Sequence, residues 1–414
     1  MNGGIKMVDL NAESLELHIK NNGKLAVCSK VPLRDGHDLS IAYTPGVAEP
    51  CRKIKDDKDL SFEYTCRGNM VAIVSDGTRV LGLGDIGPIA AMPVMEGKAV
   101  LFKSFGDVDA VPICIDAKDP KVFIDMVQRL QPSFGGINLE DISSPKCYEI
   151  EDELRKTCDI PIFHDDQHGT AIICCAALLG ALRFVKKELA DVKIVVNGCG
   201  AAGSAIGKLL HNLGATNIIM LDSKGTIYEG REGSMDMAKS YLATVTNKDK
   251  VKGDLVSVTK GADVLIGVSK PNVFTPEIIS SMNKGIVFGL ANPVPETSYE
   301  AAMAAGAAVA ATGRSDAPNQ VNNVCVFPGV FRGALDVRAK AITEEMKVAA
   351  VHAIADLIED KDLRQDYVVA APFDNRVAPA VAAAVAKTAM ELGIARVIKD
   401  PEEIRANTFK RVGR

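Results

Sequence analysis

The sequence predicts an α/β protein. An N-terminal α/β unit is followed by a Rossmann-like, doubly wound unit, over 414 residues. Three observations point there. Two apolar runs end in acids, at Asn138-Leu139-Glu140-Asp141-Ile142 and at Ile162-Phe163-His164-Asp165-Asp166, with a helix pattern at 148–156 between them. The glycine-rich stretch Gly198-Cys199-Gly200-Ala201-Ala202-Gly203 follows a short apolar strand pattern directly. Beyond it, strand-like runs at 263–267, 285–290 and 307–310 each stop at a polar or glycine turn. We expect a first domain over 1–164, a dinucleotide domain over 165–385 and a helical tail over 386–414.

The chain opens with an amphipathic helix pattern over 7–20, starting after Asp9 or Asn11. Thr44-Pro45-Gly46 is a turn signal. Tyr43, just before it, suits a fixed proton donor and equally a core aromatic. Residues 71–81 read as a hairpin with Asp76-Gly77 at its tip. Gly82-Leu83-Gly84-Asp85-Ile86-Gly87 spells a GxGxxG pattern, but Pro88 follows it and the strand, helix and acid order is missing. It reads as a flexible turn where backbone approaches a ligand or another segment. Lys98 stands beside Gly97 at the edge of an apolar run, as a buried base or a side chain snorkelling to water. A strand is expected at 111–115 and a helix at 120–130.

The acidic unit is strand, helix, strand. Such a unit is parallel, so both acidic tips reach one sheet edge. Glu140, Asp141 and Asp165 or Asp166 then converge. Three carboxylates repel one another unless a cation lies between them, and oxygen ligands suit Mg²⁺ or Mn²⁺. The plainer reading is solvated loop acids or helix caps. His164 and His168 have a spacing that binds zinc on a helix. Asp165-Asp166 and Gly169 instead suit a loop entering a helix, and catalytic zinc wants more His or Cys nearby.

In the second unit, a helix over 170–187 and a strand over 193–197 lead into the glycines. A helix over 204–213 and a strand over 217–222 follow. That strand ends at Asp222, about 20 residues past the glycines. Gly198 makes the tight turn, Gly200 admits the pyrophosphate and Gly203 packs helix on strand, with the helix N-terminus facing the negative charge. Asp222 favours NAD through the ribose hydroxyls, while Lys224 can pair with the 2′-phosphate of NADP. The expectation is NAD or NADP with a slight preference for NAD. Asn292 sits at a later strand end. Asn322 and Asn323 precede Phe327-Pro328-Gly329 and either reach a ligand or form a plain turn. Residues 338–359 and 378–392 read as Ala-rich helices, and the stretch from Asp400 as a charged surface or interface element.

Composition narrows the class. A net charge of −5 gives no nucleic-acid footprint. Ten cysteines without paired metal spacing suit reduced thiols in a cytoplasmic protein. The first 20 residues lack a signal-peptide core. The apolar runs at 171–182 and 301–311 fall short of a membrane span and read as close-packed buried helices.

Taken in order, the motifs resemble the malic enzyme family in its shorter microbial form. The resemblance is carried by Tyr43-Thr44-Pro45-Gly46-Val47-Ala48, Asp76-Gly77, the 81–87 loop, Gly97-Lys98, Leu139-Glu140-Asp141, Phe163 to Thr170, Gly198 to Gly203, Asn292-Pro293 and Asn322-Asn323. It implies oxidative decarboxylation of malate to pyruvate and CO₂, with NAD or NADP and a divalent metal, by a homodimer. Tyr43 resembles the general acid and Lys98 the general base, held neutral beside the cation. Glu140, Asp141 and Asp166 match the metal ligands, and Asp165 the acid that holds the lysine. Arg79 aligns with a substrate-carboxylate arginine of larger members that short forms often lack. Asn292 and one of Asn322 and Asn323 match amides that contact substrate. His164 and His168 become scaffold. A malolactic conversion to lactate uses the same parts, whereas a simple 2-hydroxy acid dehydrogenase needs no carboxylate cluster.

Overall fold

The computed structural model describes residues 9–413. Met7 and Val8, where the first helix was expected to begin, lie outside them. The helix is observed from Leu10 to Asn21, capped by the Asp9 carboxylate.

The first sheet has four parallel strands: β1 (Met70–Ser75), β2 (Asp109–Cys114), β3 (Gly136–Leu139) and β4 (Ile162–His164), in the order β2-β1-β3-β4. The expected hairpin at 71–81 is absent. Val71 to Val74 are all fully buried, so β1 is a central parallel strand covered on both faces. That burial outweighs the Asp76-Gly77 turn signal. The chain leaves β1 through a loop and crosses to β2 by the helix Gly87–Gly106, which carries Pro88 in its first turn, where no amide bond is lost. Helices Pro120–Leu130 and Lys146–Thr157 make the next two crossovers.

The second sheet holds β5 (Lys193–Asn197), β6 (Asn217–Asp222), β7 (Gly225–Thr226), β8 (Val264–Gly267), β9 (Ile286–Gly289) and β10 (Val309–Thr312). Their order is β10-β9-β8-β5-β6-β7, and only β7 is antiparallel. This is a doubly wound sheet. The run at 301–311 is not one helix: Tyr299–Ala304 is helical and β10 follows. The helix expected over 338–359 is confined to Glu344–Ala355, opened by a Thr343 cap. In each sheet the strand order reverses at one crevice, between β1 and β3 and between β5 and β8. Ligands of such sheets bind outside the carboxyl ends there.

The helix Asp165–Val185 joins the two sheets. It leaves β4 at Asp165 and packs against helices Ala201–Asn212 and Glu344–Ala355. By length and composition it could cross a membrane, but most of it is buried inside the protein. One hydrophobic cluster runs through both sheets, from Ile73, Phe102 and Phe163 to Ile194 and Phe288. The expected domain limit after residue 164 falls between β4 and this helix, whereas residue 386 lies within the helix Val377–Glu391. The last helix, Pro401–Val412, packs on Val377–Glu391 and on Gly87–Gly106. At the other end, helices Leu10–Asn21, Gly36–Ala42 and Ala48–Asp56 bury no side chain. Their Leu10, Leu15, Leu17, Ile19, Leu39 and Ile41 face outward.

Candidate active site

The carboxyl ends of β3 and β4 deliver four acids to one edge. Ligand oxygens of Glu140, Asp141 and Asp166 lie within 4.8 Å of one another. Asp141 adopts a left-handed backbone at φ 54°, and its N–H donates to Asp166 Oδ2 at 2.8 Å. Asn138 Nδ2, on β3, donates to Glu140 Oε2 at 2.8 Å. Asp165 faces the other way. Its Oδ2 accepts from Lys98 Nζ at 2.5 Å and also from the Asn323 amide. Lys98 Nζ lies 2.9 Å from Glu140 Oε1 and 4.3 Å from the centre of the Phe327 ring. Lys98 comes from the middle of the helix Gly87–Gly106 and only 8 % of it is exposed, so it does not snorkel to water.

Burial and crowding set the electrostatics. Desolvation, then the neighbouring Asp166, push Asp141 up to about 7. Burial raises Glu140 well above the carboxylate range, against the pull of Lys98. Burial would raise Asp166, but His164, Lys98 and the Asp141 N–H together hold it below its ordinary value. Burial would lower Lys98, but Asp165 and Glu140 raise it above its ordinary value. In the cation-free protein Lys98 therefore holds its proton more tightly than an ordinary lysine; the expectation of a neutral Lys98 belongs to the cation-bound site.

The set fits a hard divalent cation. All donors are carboxylate oxygens, and Asp141 Oδ2 is buried without a hydrogen-bond partner among the described residues. His164 and His168 join no such cluster among the described residues. His168 bonds to Glu151 at 2.8 Å and to Lys347 at 3.0 Å.

Other expected residues stand apart. Arg79 gives its N–H to the Asp141 carbonyl at 3.0 Å while its side chain is exposed. Asn322 turns its Oδ1 inward to cap Val324 N–H at 3.0 Å. Asn292 is exposed beside Gly313 and Gly82. A Cβ added at Gly82 would stand 2.9 Å from Pro293 Cδ, so the 82–87 loop is a close approach between the two domains. Tyr43 is 68 % exposed and forms no hydrogen bond with these side chains among the described residues.

The glycine loop meets the second crevice. Gly198 has φ +118°, and an added Cβ would lie 2.7 Å from the Val268 carbonyl after β8. A Cβ on Gly203 would lie 1.8 Å from Gly198 O, whereas Gly200 opens on free space. The helix begins at Ala201, directly after Gly200, earlier than the expected 204. Cys199 is buried, and its thiol is pushed up to about 11. Ala202 is half-buried in the first turn. Asp222 pairs with Arg231 at 2.8 Å and Lys239 at 3.2 Å.

Sequence reasoning missed Arg231, Glu151 and Lys347. Glu151 shares a helix face with buried Cys147 and Leu154, and Lys347 one with buried Ala350, Val351 and Ile354. A charge at an apolar position was the available signal.

Fold and site together define a two-domain dinucleotide-binding protein whose carboxylate centre faces the cofactor domain. The family description "Malic enzyme, N-terminal domain" matches residues 22–121, and "Malic enzyme, NAD binding domain" matches 167–390. A bifunctional malic/malolactic enzyme of Bacillus subtilis is 56% identical, over 97% of this chain and 98% of its own. An NAD-dependent malic enzyme of Geobacillus stearothermophilus is 50% identical, over 95% and 82%. The crystal structure of a malic enzyme from Pyrococcus horikoshii superposes with a TM-score of 0.93 at 45% identity, covering 97% of this chain and 96% of that one. The chain belongs to the malic enzyme family, oxidoreductases with NAD- and NADP-dependent members.

Proposed function

We propose that the protein converts malate to pyruvate and CO₂ while reducing NAD or NADP, with a divalent cation at Glu140, Asp141 and Asp166. The observation that carries this is Lys98, a buried amine 2.9 Å from one acid of the oxygen trio and held by Asp165. When bound, the cation supplies polarisation of the substrate's C2 oxygen and offsets the charge of the trio. Lys98 would act from its neutral amine, kept in place by Asp165. Lys98 then takes the C2 hydroxyl proton as hydride passes from C2 to the nicotinamide. The β-keto acid loses CO₂, and the electron pair moves into the enolate. Tyr43 donates the proton to C3. Asn323, through Asp165, holds the lysine in place.

Tyr43 is exposed within one chain, so we place it in the site of a second copy in a homodimer. Its arm carries apolar side chains that need cover, which supports that reading. Asp222 favours NAD, and Arg231 with Lys239 offsets its charge, which makes that preference slight. Ten unpaired cysteines support a reducing, cytoplasmic setting.

Malolactic conversion is the second reading, favoured by the identity to the Bacillus subtilis enzyme. Kinetics on malate with each cofactor, with and without Mn²⁺, test the proposal. Pyruvate with equal reduced cofactor is expected. Lactate without net reduced cofactor selects the second reading, and turnover without added or bound divalent ion defeats the cation assignment.

A further inference from the structure

One buried acid takes no part in the proposed chemistry. Glu296 is fully buried, and no lysine, arginine or histidine pairs with it among the described residues. Its Oε1 accepts the Ser269 N–H at 2.6 Å, and its Oε2 accepts the Ala291 N–H at 2.9 Å. Ser269 follows β8 and Ala291 follows β9. The Asn197 amide, at the end of β5, donates to Ser269 Oγ at 2.8 Å. Side chains thus tie three adjacent strand ends at the carboxyl edge of the sheet. The main chain adds Asn272 N–H to Pro295 O and Phe274 N–H to Glu296 O, both at 3.1 Å.

A buried carboxylate without a cation is costly. Burial raises the Glu296 carboxyl above its ordinary value, and the Ser269 and Ala291 N–H groups pull against that rise. Each oxygen faces an N–H, so only the ionised carboxylate, which accepts at both, satisfies the two loops together. The end of β8 is cleared for it: a Cβ added at Gly267 would lie 2.5 Å from Glu296 Cδ.

The crevice between β5 and β8 divides a bound dinucleotide. In the proposed function the pyrophosphate lies on 198–203 and the adenosine beside Asp222, at the end of β6. The nicotinamide half then crosses to the β8 and β9 side, onto the loops that Glu296 holds. The Ser269 loop flanks the glycine turn itself, since a Cβ on Gly198 would stand 3.2 Å from Ser269 Cβ.

We infer that Glu296 is a positioning residue for the nicotinamide half of the dinucleotide: it acts through Ser269 and Ala291, whose loops it fixes at the mouth of the crevice. This rests on the reading of 198–203 as the pyrophosphate loop.

The test uses the full-length protein. NADH and NADPH are titrated by fluorescence, and 5′-AMP, which lacks the nicotinamide half, by calorimetry. Glu296→Gln keeps the shape but turns one acceptor into an NH₂ that faces an N–H. It should weaken the reduced dinucleotide by about tenfold or more and 5′-AMP by less than about twofold. An unchanged dinucleotide affinity overturns the positioning role. So does an equal loss of both ligands, which a general loosening of the domain would produce. A second measurement needs no change at Glu296. In wild-type protein labelled with ¹⁵N-serine, the Ser269 amide is assigned by its loss in Ser269→Ala. Its exchange with solvent should be slower than that of an open loop, and slower again with the reduced dinucleotide but not with 5′-AMP. Open-loop exchange, or no response to the dinucleotide, overturns the inference. Wild-type protein that binds none of NADH, NADPH and 5′-AMP defeats the dinucleotide reading itself, and the inference with it.

Discussion

Asp141 combines a left-handed backbone, burial and an unpartnered Oδ2. Such a carboxylate is costly unless a cation meets it. Asp141→Asn should weaken Mn²⁺ by more than the ~10–100-fold that outer-shell changes cost, while the fold persists. Unchanged cation dependence of activity would remove Asp141 from the ligand set. Its titration gives a second prediction. The folded, cation-free protein raises Asp141 from 3.8 to about 7, so it binds this proton more tightly than the unfolded chain does. The resulting stabilisation is full below about pH 4 and is lost as pH rises through about 7. Mn²⁺ relieves the repulsion that remains above that range. The rise in melting temperature on adding Mn²⁺ should therefore be larger near pH 8 than near pH 5.5, in calorimetry of the same preparation. An equal rise at both would contradict the assignment. The acids were legible in the sequence because a parallel strand-helix-strand unit must bring both tips to one edge. The state of Lys98 was not, since it depends on Asp165 and Glu140, distant in sequence and adjacent only in space.

At the level of elements, the glycine loop separates two roles that a motif merges. Gly200 faces open space and Gly203 faces the Gly198 carbonyl. Gly200→Ala should fold with a melting temperature close to that of the parent, yet lose dinucleotide affinity by roughly tenfold or more, because a methyl group intrudes where backbone meets pyrophosphate. Gly203→Ala should instead lower the melting temperature, because helix and turn must part. The assignment fails if the two variants behave alike in thermal melts and cofactor titrations. This loop was legible because its strand, helix and acid follow in order. The hairpin expectation at 71–81 failed for a related reason: a local Asp-Gly signal cannot report that Val71 to Val74 are covered on both faces. The apolar run at 301–311 failed because small residues suit a helix and a buried strand alike, and Gly306, with φ +97°, divides them.

For the whole molecule, the arm over 9–56 decides how many chains make a site. Its three helices bury nothing within the chain, and it is tied to the helix Gly87–Gly106 by Lys24, which donates to Glu96 at 3.1 Å and to the Pro93 carbonyl at 2.8 Å. If Tyr43 acts across a dimer, mixing Tyr43→Phe with Lys98→Ala subunits restores one intact site per mixed dimer. Random reassortment would then recover about a quarter of wild-type turnover, although Tyr43→Phe alone loses about 10²–10⁴-fold. No recovery after verified subunit exchange would put Tyr43 and Lys98 on the same chain. The sequence carried this arm as one helix pattern over 7–20 and a turn at Thr44-Pro45-Gly46. Their lack of a core was not legible, because exposure is a property of the assembled fold.

The helix Asp165–Val185 has a mechanical consequence. Glu140 and Asp141 belong to the end of β3, while Asp166 rides in the first turn of a helix packed against the helix Ala201–Asn212 of the second domain. An ion gripped by all three is a latch between two bodies. Swinging the cleft open would pull one ligand from the other two, so the residence time of the ion would keep pace with each opening of the jaws.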